Sequence, residues 1–279
     1  DIAVVTAIGD IPAHVEFFRD AEEVIAEKSK LVASLAVVDM STNVCDRKDL
    51  LTSDVFANRE RAVSRCAILN HDDEDVFDMR EKTNARVLTF GFSEHASVRF
   101  TDEHLFIVRD RDGNENPAGI TCKIIHQGSE VPVRLDGVAG EVYAYAAAAA
   151  ATTGIVLNMN LVEISEALRA YQPPAGRMRL IKGNKHSLIL DDTYNASPES
   201  MRSALETLIT VPGKRKIAVL GDMREIGRYT EAAHRAIGDR AEKICDLLLC
   251  IGSATRFIAD SARMRGMAAD KIMIFDDSR

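Results

Sequence analysis

The stretch LILDDTYNASPESMR, residues 188–202, holds a short apolar run, a polar turn and a helix start in direct succession. Ser187 to Leu190 reads as a buried strand, Asp191 to Ala196 as the turn after it, and Ser197-Pro198-Glu199-Ser200 as a first helical turn. Ser197 suits the N-cap because its hydroxyl can accept a first-turn amide. Pro198 gives up no needed donor at the first helical position, and Glu199 sits at the positive end of the helix. A strand that carries Asp191, Asp192, Thr193, Tyr194 and Asn195 onto a helix N-terminus fits the place where open α/β sheets bind ligands. The same residues also make ordinary turn chemistry, since Asp and Thr side chains bond nearby backbone.

Downstream the pattern repeats. Strands at 215–221, 246–251 and 271–275 alternate with helices at 230–243 and 255–265, which together with 187–191 and 198–209 predicts a parallel, Rossmann-like sheet. Asp222 and Glu225 in KIAVLGDMREIG (216–227) fall at a strand's carboxyl end, where either a ligand role or helix capping is open to them. Upstream, Gln172-Pro173-Pro174-Ala175-Gly176 is the strongest linker signal, so two domains are expected, 1–180 and 181–279.

The first of these opens with DIAVVTAI (1–8), an apolar, β-branched run of the central-strand kind, followed by a turn and a helix over about 21–35. Strands follow at 66–70 and 86–91 around a helix at 76–83. Short alternating strands at 97–100, 105–109, 119–126 and 130–135, with a turn at 111–114, predict an antiparallel subsheet. Residues 137–154 form an alanine-rich helix and 161–171 a second, amphipathic one; residues 36–65 match no pattern beyond an inserted helix pair. A strand at the very start suggests that the sequence begins inside a domain, and IFDDSR (274–279) suggests a clipped tail.

Composition narrows the class. A net charge of -8 argues against a non-specific nucleic-acid binder. The five scattered cysteines form no CxxC pair and fit reduced structural thiols in a cytoplasm. The longest apolar run, 144–156, is mostly alanine and too short to span a bilayer, so no membrane insertion is expected.

DDTYNASPESM (191–201) resembles a signature of the Mur ligases, within them the branch that adds D-alanyl-D-alanine. Three further segments agree in order: IGDIPAH (8–14) with an "IGPAH" turn, LNHDD (69–73) with an "LNxDD" turn, and Gly176-Arg177-Met178 with a "GRM" motif; residues 216–227 are similar to "VLGDMxELG". The resemblance implies a mixed-sheet central ATPase domain, represented by its later part, joined to a C-terminal Rossmann-like domain. It implies ATP and Mg2+ as cofactors and a UDP-MurNAc-tripeptide and D-Ala-D-Ala as substrates, in a cytoplasmic enzyme of peptidoglycan synthesis that is a monomer when full length. Residue by residue, it makes His14 and Lys28 the metal site, with Lys28 carbamoylated and Lys30 as runner-up. Arg177, Asp191, Asp192, Tyr194 and Asn70 become nucleotide contacts, Asp191 also serving catalysis, and Asn195, Ser197, Asp222 and Glu225 face the dipeptide. Read alone, His14 is more readily a packing or capping histidine, and Arg177 is equally a surface arginine after a hinge.

Two departures qualify the resemblance. At the start of the alanine-rich helix, where many family members have a nucleotide-touching His and Asn, this chain has Glu141, Val142, Tyr143 and Ala144. No GxxxxGK[ST] phosphate loop occurs; the family places it upstream, so the N-terminal domain and that loop are expected to be missing and these residues alone are expected not to turn over ATP. Another amide ligase of the superfamily, of folylpolyglutamate or cyanophycin type, or a non-catalytic nucleotide-binding remnant, stays open as an alternative.

Overall fold

A computed structural model describes residues 1–35, 65–109, 113 and 115–277. Its first sheet has six strands in sequential order: β1 (Ile2–Val5), β2 (Cys66–Asn70), β3 (Arg86–Gly91), β4 (Val98–Arg109), β5 (Glu115–His126) and β6 (Ser129–Asp136). β1 to β4 pair in parallel and β4 to β6 antiparallel, so the expected antiparallel subsheet continues the parallel one in a single mixed α/β layer. β2 is buried along its whole length because both its faces are covered. Cys66 and Ile68 face one core with the alanines of α3 (Val142–Val156). Ala67 and Leu69 face another with Val32 of α1 (Ala21–Ala33) and Val76 of α2 (Glu74–Asp78). Alanine lets α3 lie close, and Gly154 of α3 has no room for a Cβ, which would come within 2.9 Å of Ile164 in α4 (Leu161–Arg169).

A second sheet of three parallel strands, in the order β11-β10-β9, comprises β9 (Ile217–Gly221), β10 (Leu247–Ile251) and β11 (Ile272–Phe275). Helices α6 (Thr230–Ile244) and α7 (Thr255–Arg265) bury Ala218, Leu248, Cys250 and Ile272 beneath them. Val15 and Val24, from the far end of the sequence, belong to this same core. The two cores also share α5 (Pro198–Thr210): Ala204 packs on the first, Met201 and Leu205 lie in the second.

Several details differ from the sequence expectation. The strand expected at 187–191 is β8 (Leu188–Asp191), and it pairs antiparallel with β7 (Arg179–Lys182) in a separate two-stranded sheet, not with the parallel one. The two strands expected at 97–100 and 105–109 are one long strand, β4 (Val98–Arg109), because the left-handed backbone of Asp102 absorbs a register shift without ending the pairing. The helix expected at 76–83 is the short α2 followed by a 3-10 turn, Met79–Lys82. The helix pair considered for 36–65 and most of the 111–114 turn lie outside the described residues. Among the described residues Cys66, Cys122, Cys245 and Cys250 are buried free thiols, and no helix is long and apolar enough to cross a membrane.

Candidate functional site

The turn between β8 and α5 is built as its sequence suggests. Ser197 caps α5: its hydroxyl accepts the Ser200 amide at 3.2 Å, and the Ser200 hydroxyl accepts the Ser197 amide at 2.9 Å. Ser197 is thereby engaged in holding the helix start. Asp191 accepts from the Gly176 amide at 3.0 Å and from the Thr193 hydroxyl at 2.7 Å and amide at 3.3 Å. Chiefly the Thr193 hydroxyl, and then the Gly176 and Thr193 amides, hold its carboxyl below the usual carboxylate range. Asp192 behaves oppositely. Burial pushes it up, although the Met178 amide donates to it at 3.1 Å and Arg177 lies nearby.

These bonds tie the linker to the turn. Gly176 adopts φ +73°, its carbonyl accepts the Tyr194 amide at 3.1 Å, and a Cβ there would stand 2.8 Å from the Tyr194 nitrogen. The Arg177 guanidinium lies over the exposed Tyr194 ring at 3.9 Å, and the Tyr143 hydroxyl donates to the Arg177 carbonyl at 2.5 Å. An exposed cation flattened on an aromatic ring keeps its outer face for an anion. Asn195 is exposed beside it on the same turn.

A second group gathers at the carboxyl ends of β1 to β3. Asn70 donates to the Thr6 carbonyl at 2.9 Å and accepts the Asp72 amide at 3.0 Å; Asp73 accepts the Ile8 amide at 2.8 Å. Asn70 therefore acts on the loop after β1, as a brace between two strand exits. Asp72 accepts from the Phe92 amide at 2.6 Å, the Ser93 amide at 3.1 Å and the Tyr145 hydroxyl at 3.0 Å. Tyr145 packs edge to face on Phe92 and Phe100, at 5.4 and 4.8 Å between ring centres. Asp72 lies in the LNHDD turn that the sequence singles out, whereas Tyr145 carries no signal beyond being an aromatic residue on the helix that lacks the family's His and Asn.

The third group joins the halves of the chain. His14, at φ 66°, directs Nδ1 to the Glu225 carboxylate, and Glu225, at φ 62°, accepts the Glu16 amide on its carbonyl at 3.4 Å. Two non-glycine residues in the left-handed region face each other across this contact. Asp222 does not face it. Its Oδ1 accepts the Ala254 and Thr255 amides, both at 3.0 Å, and so caps α7, whose own Ala254 offers no side-chain cap. Behind the loop, His234 is fully buried between the Met223 amide and the Thr230 carbonyl, and burial pulls its pKa down.

The structure thus brings His14 to Glu225 and Arg177 to Asp192 and Tyr194, with Asp191 holding the neighbouring Gly176 amide. Lys28 stands elsewhere, exposed on α1 and lining a depression with Val4, Val5, Thr6, Ala7, Glu27 and Leu31 at the exit of β1; Lys30 pairs with Glu27. Among the described residues no three His, Cys, Asp or Glu side chains are grouped to hold a metal. His14 and Glu225 supply one imidazole and one carboxylate. Magnesium takes oxygen ligands, so of this pair only the Glu225 carboxylate suits it, while the His14 ring is held by Glu225; an ammonium such as Lys28 becomes a ligand only as a carbamate.

Residues 176–279 match the family "Mur ligase, glutamate ligase domain". The chain is 33% identical over 183 residues to the UDP-N-acetylmuramoyl-tripeptide--D-alanyl-D-alanine ligase of Synechocystis sp., a match covering 66% of this chain and 38% of that one. Among solved structures it is similar to MurF from Acinetobacter baumannii, with TM-score 0.73 and 24% identity over 99% of this chain and 50% of that one. It is also similar to MurF ligase from Thermotoga maritima in complex with ADP, with TM-score 0.72 and 21% identity over 98% and 52%. The chain spans about half the length of these solved relatives.

Proposed function

We propose that this chain, which through residues 176–279 belongs to the Mur ligases, provides the nucleotide and acceptor sites of an ATP-dependent amide ligase. The reaction joins D-Ala-D-Ala to a UDP-MurNAc-tripeptide: a carboxylate oxygen of the tripeptide takes the γ-phosphoryl group, the dipeptide amine attacks the acyl phosphate, and phosphate leaves. In this reading residues 1–180 contribute ATP binding and 181–279 the ligase domain, in the cytoplasm, where buried thiols stay reduced.

The observation that carries the reading is the exposed Arg177 guanidinium stacked on Tyr194, beside a linker glycine, Gly176, whose amide Asp191 holds on the turn. Phosphoryl transfer asks mainly for positioning and positive charge, which a planar, always-charged fork provides. Asp191 stays ionised and keeps the Gly176 linker on the turn, so the guanidinium is placed rather than free. Asn195 is exposed next to Tyr194 on the same turn, and Asn70 with Asp73 holds the exit of β1. Bound magnesium would neutralise phosphate charge; carbamoylated Lys28, at the exit of β1, is the residue we assign to it, and the 222–227 loop with Glu225 is assigned to the acceptor. The MurF of Thermotoga maritima in complex with ADP, whose fold this chain shares, supports nucleotide binding here.

The test is ADP release by the protein at its full natural length, supplied with ATP, magnesium, the UDP-linked tripeptide and, in turn, D-Ala-D-Ala, glutamate or an aspartate–arginine acceptor. Turnover that needs D-Ala-D-Ala is expected. Turnover with glutamate instead, or none with any acceptor, overturns the assignment.

A further inference from the structure

His234 has an unambiguous protonation pattern. Its Nδ1 lies 2.7 Å from the Thr230 carbonyl, which can only accept, and its Nε2 lies 3.1 Å from the Met223 amide, which can only donate. The ring must therefore carry its proton on Nδ1 and a lone pair on Nε2. The Thr230 contact is internal to α6 and its first turn, whereas the Met223 contact leaves the helix and grips the loop after β9. That loop, 222–227, is held at three points: Asp222 on the α7 amides, Met223 on His234, and Glu225 on His14. Met223 and Ile226 are buried among α6 residues, so the loop cannot shift without disturbing that core.

We propose that His234 is a positioning residue for the acceptor dipeptide: its neutral, Nδ1-protonated ring fixes the Met223 amide and so sets where the 222–227 loop presents Glu225. This rests on the ligase reading above. A buried histidine serving packing alone would need only its volume, whereas this one is used through a single ring nitrogen. Two near-isosteric substitutions separate the two uses. In His234→Gln the amide oxygen replaces Nε2 and keeps the Met223 contact. In His234→Asn the amide nitrogen replaces Nδ1 and keeps only the Thr230 contact.

The experiment compares the intact wild-type enzyme with both variants for the KM of D-Ala-D-Ala and of ATP. His234→Asn should raise the dipeptide KM by about tenfold and leave the ATP KM unchanged, with His234→Gln within about twofold of wild type for both. Equal dipeptide KM values for the two variants, or an ATP KM that moves as much, would overturn the proposal. Nitrogen-15 NMR of the ring reads the tautomer without any substrate, and Nε2-protonated His234 would also overturn it. A wild-type enzyme that shows the Nδ1–H tautomer but no dipeptide-dependent turnover overturns the ligase reading and with it the acceptor role.

Discussion

Asp191 and Asp192 are neighbours whose surroundings push them in opposite directions. Asp191 collects three donors on two oxygens, which favours its ionised form. Its folded pKa is depressed, hence its contribution to stability is present above the unfolded carboxylate value and is lost as pH falls through the lower folded one. Asp192 opposes it, since burial raises its pKa and penalises the charged form. Asp191→Asn should cost about 1 kcal/mol in urea unfolding at neutral pH, the low end for a charged acceptor that solvent reaches, and should flatten the acid arm below about pH 4. An unchanged acid arm would mean that the Gly176 and Thr193 contacts matter little. Beside it, Arg177→Lys keeps the charge but loses the planar fork and much of the stack on Tyr194. The ATP KM should rise about tenfold with kcat less affected, as steady-state kinetics can show; an unaltered ATP KM would remove Arg177 from the nucleotide site.

At the scale of elements, α7 depends on a carboxylate from another strand. Asp222 stands 32 positions before Ala254, and Gly252 leaves it space, since a Cβ there would lie 2.6 Å from the carboxylate. Asp222→Ala should destabilise by about 0.5–2 kcal/mol and expose the first amides of α7 to hydrogen exchange, with the dipeptide KM moved less than by a change at Glu225. A selective loss of dipeptide binding without faster exchange would restore Asp222 to the acceptor site. The range of the signals explains what could be read beforehand. Ser197-Pro198 marks α5 because capping acts within one helical turn. Strand β8 was visible as an apolar run, but its partner was not, since β7 follows a linker and pairing is decided by where the chain returns. Asp222 was recognised as lying at a strand end, yet its choice of α7 over a ligand is a contact made across the fold. Tyr145 and Asp72, 73 positions apart, left no local trace of their contact at all.

For the whole molecule, the issue is how a residue in the loop after β1 stabilises a sheet more than two hundred positions later. Val15 is 4% exposed and lies in the core of the three-stranded sheet, with Met223 and Ile226 among its companions, while His14 beside it meets Glu225. Gly227 allows this approach, since a Cβ there would come within 3.0 Å of Glu16. Burying a valine contributes about 1.5–3 kcal/mol, and truncation adds the cavity left behind. Val15→Ala should therefore cost about 2 kcal/mol, and the loss should appear in the C-terminal sheet: amides of β9 and β10 should exchange faster while β2, flanked on both faces by other cores, keeps its protection. Faster exchange confined to β1 and β2 would show that the loop belongs energetically to the first sheet alone. Because the same loop carries His14, loss of this contact would also loosen the only described side-chain pairing between His14 and the 222–227 loop, so Val15→Ala should weaken acceptor binding from a position that touches no substrate.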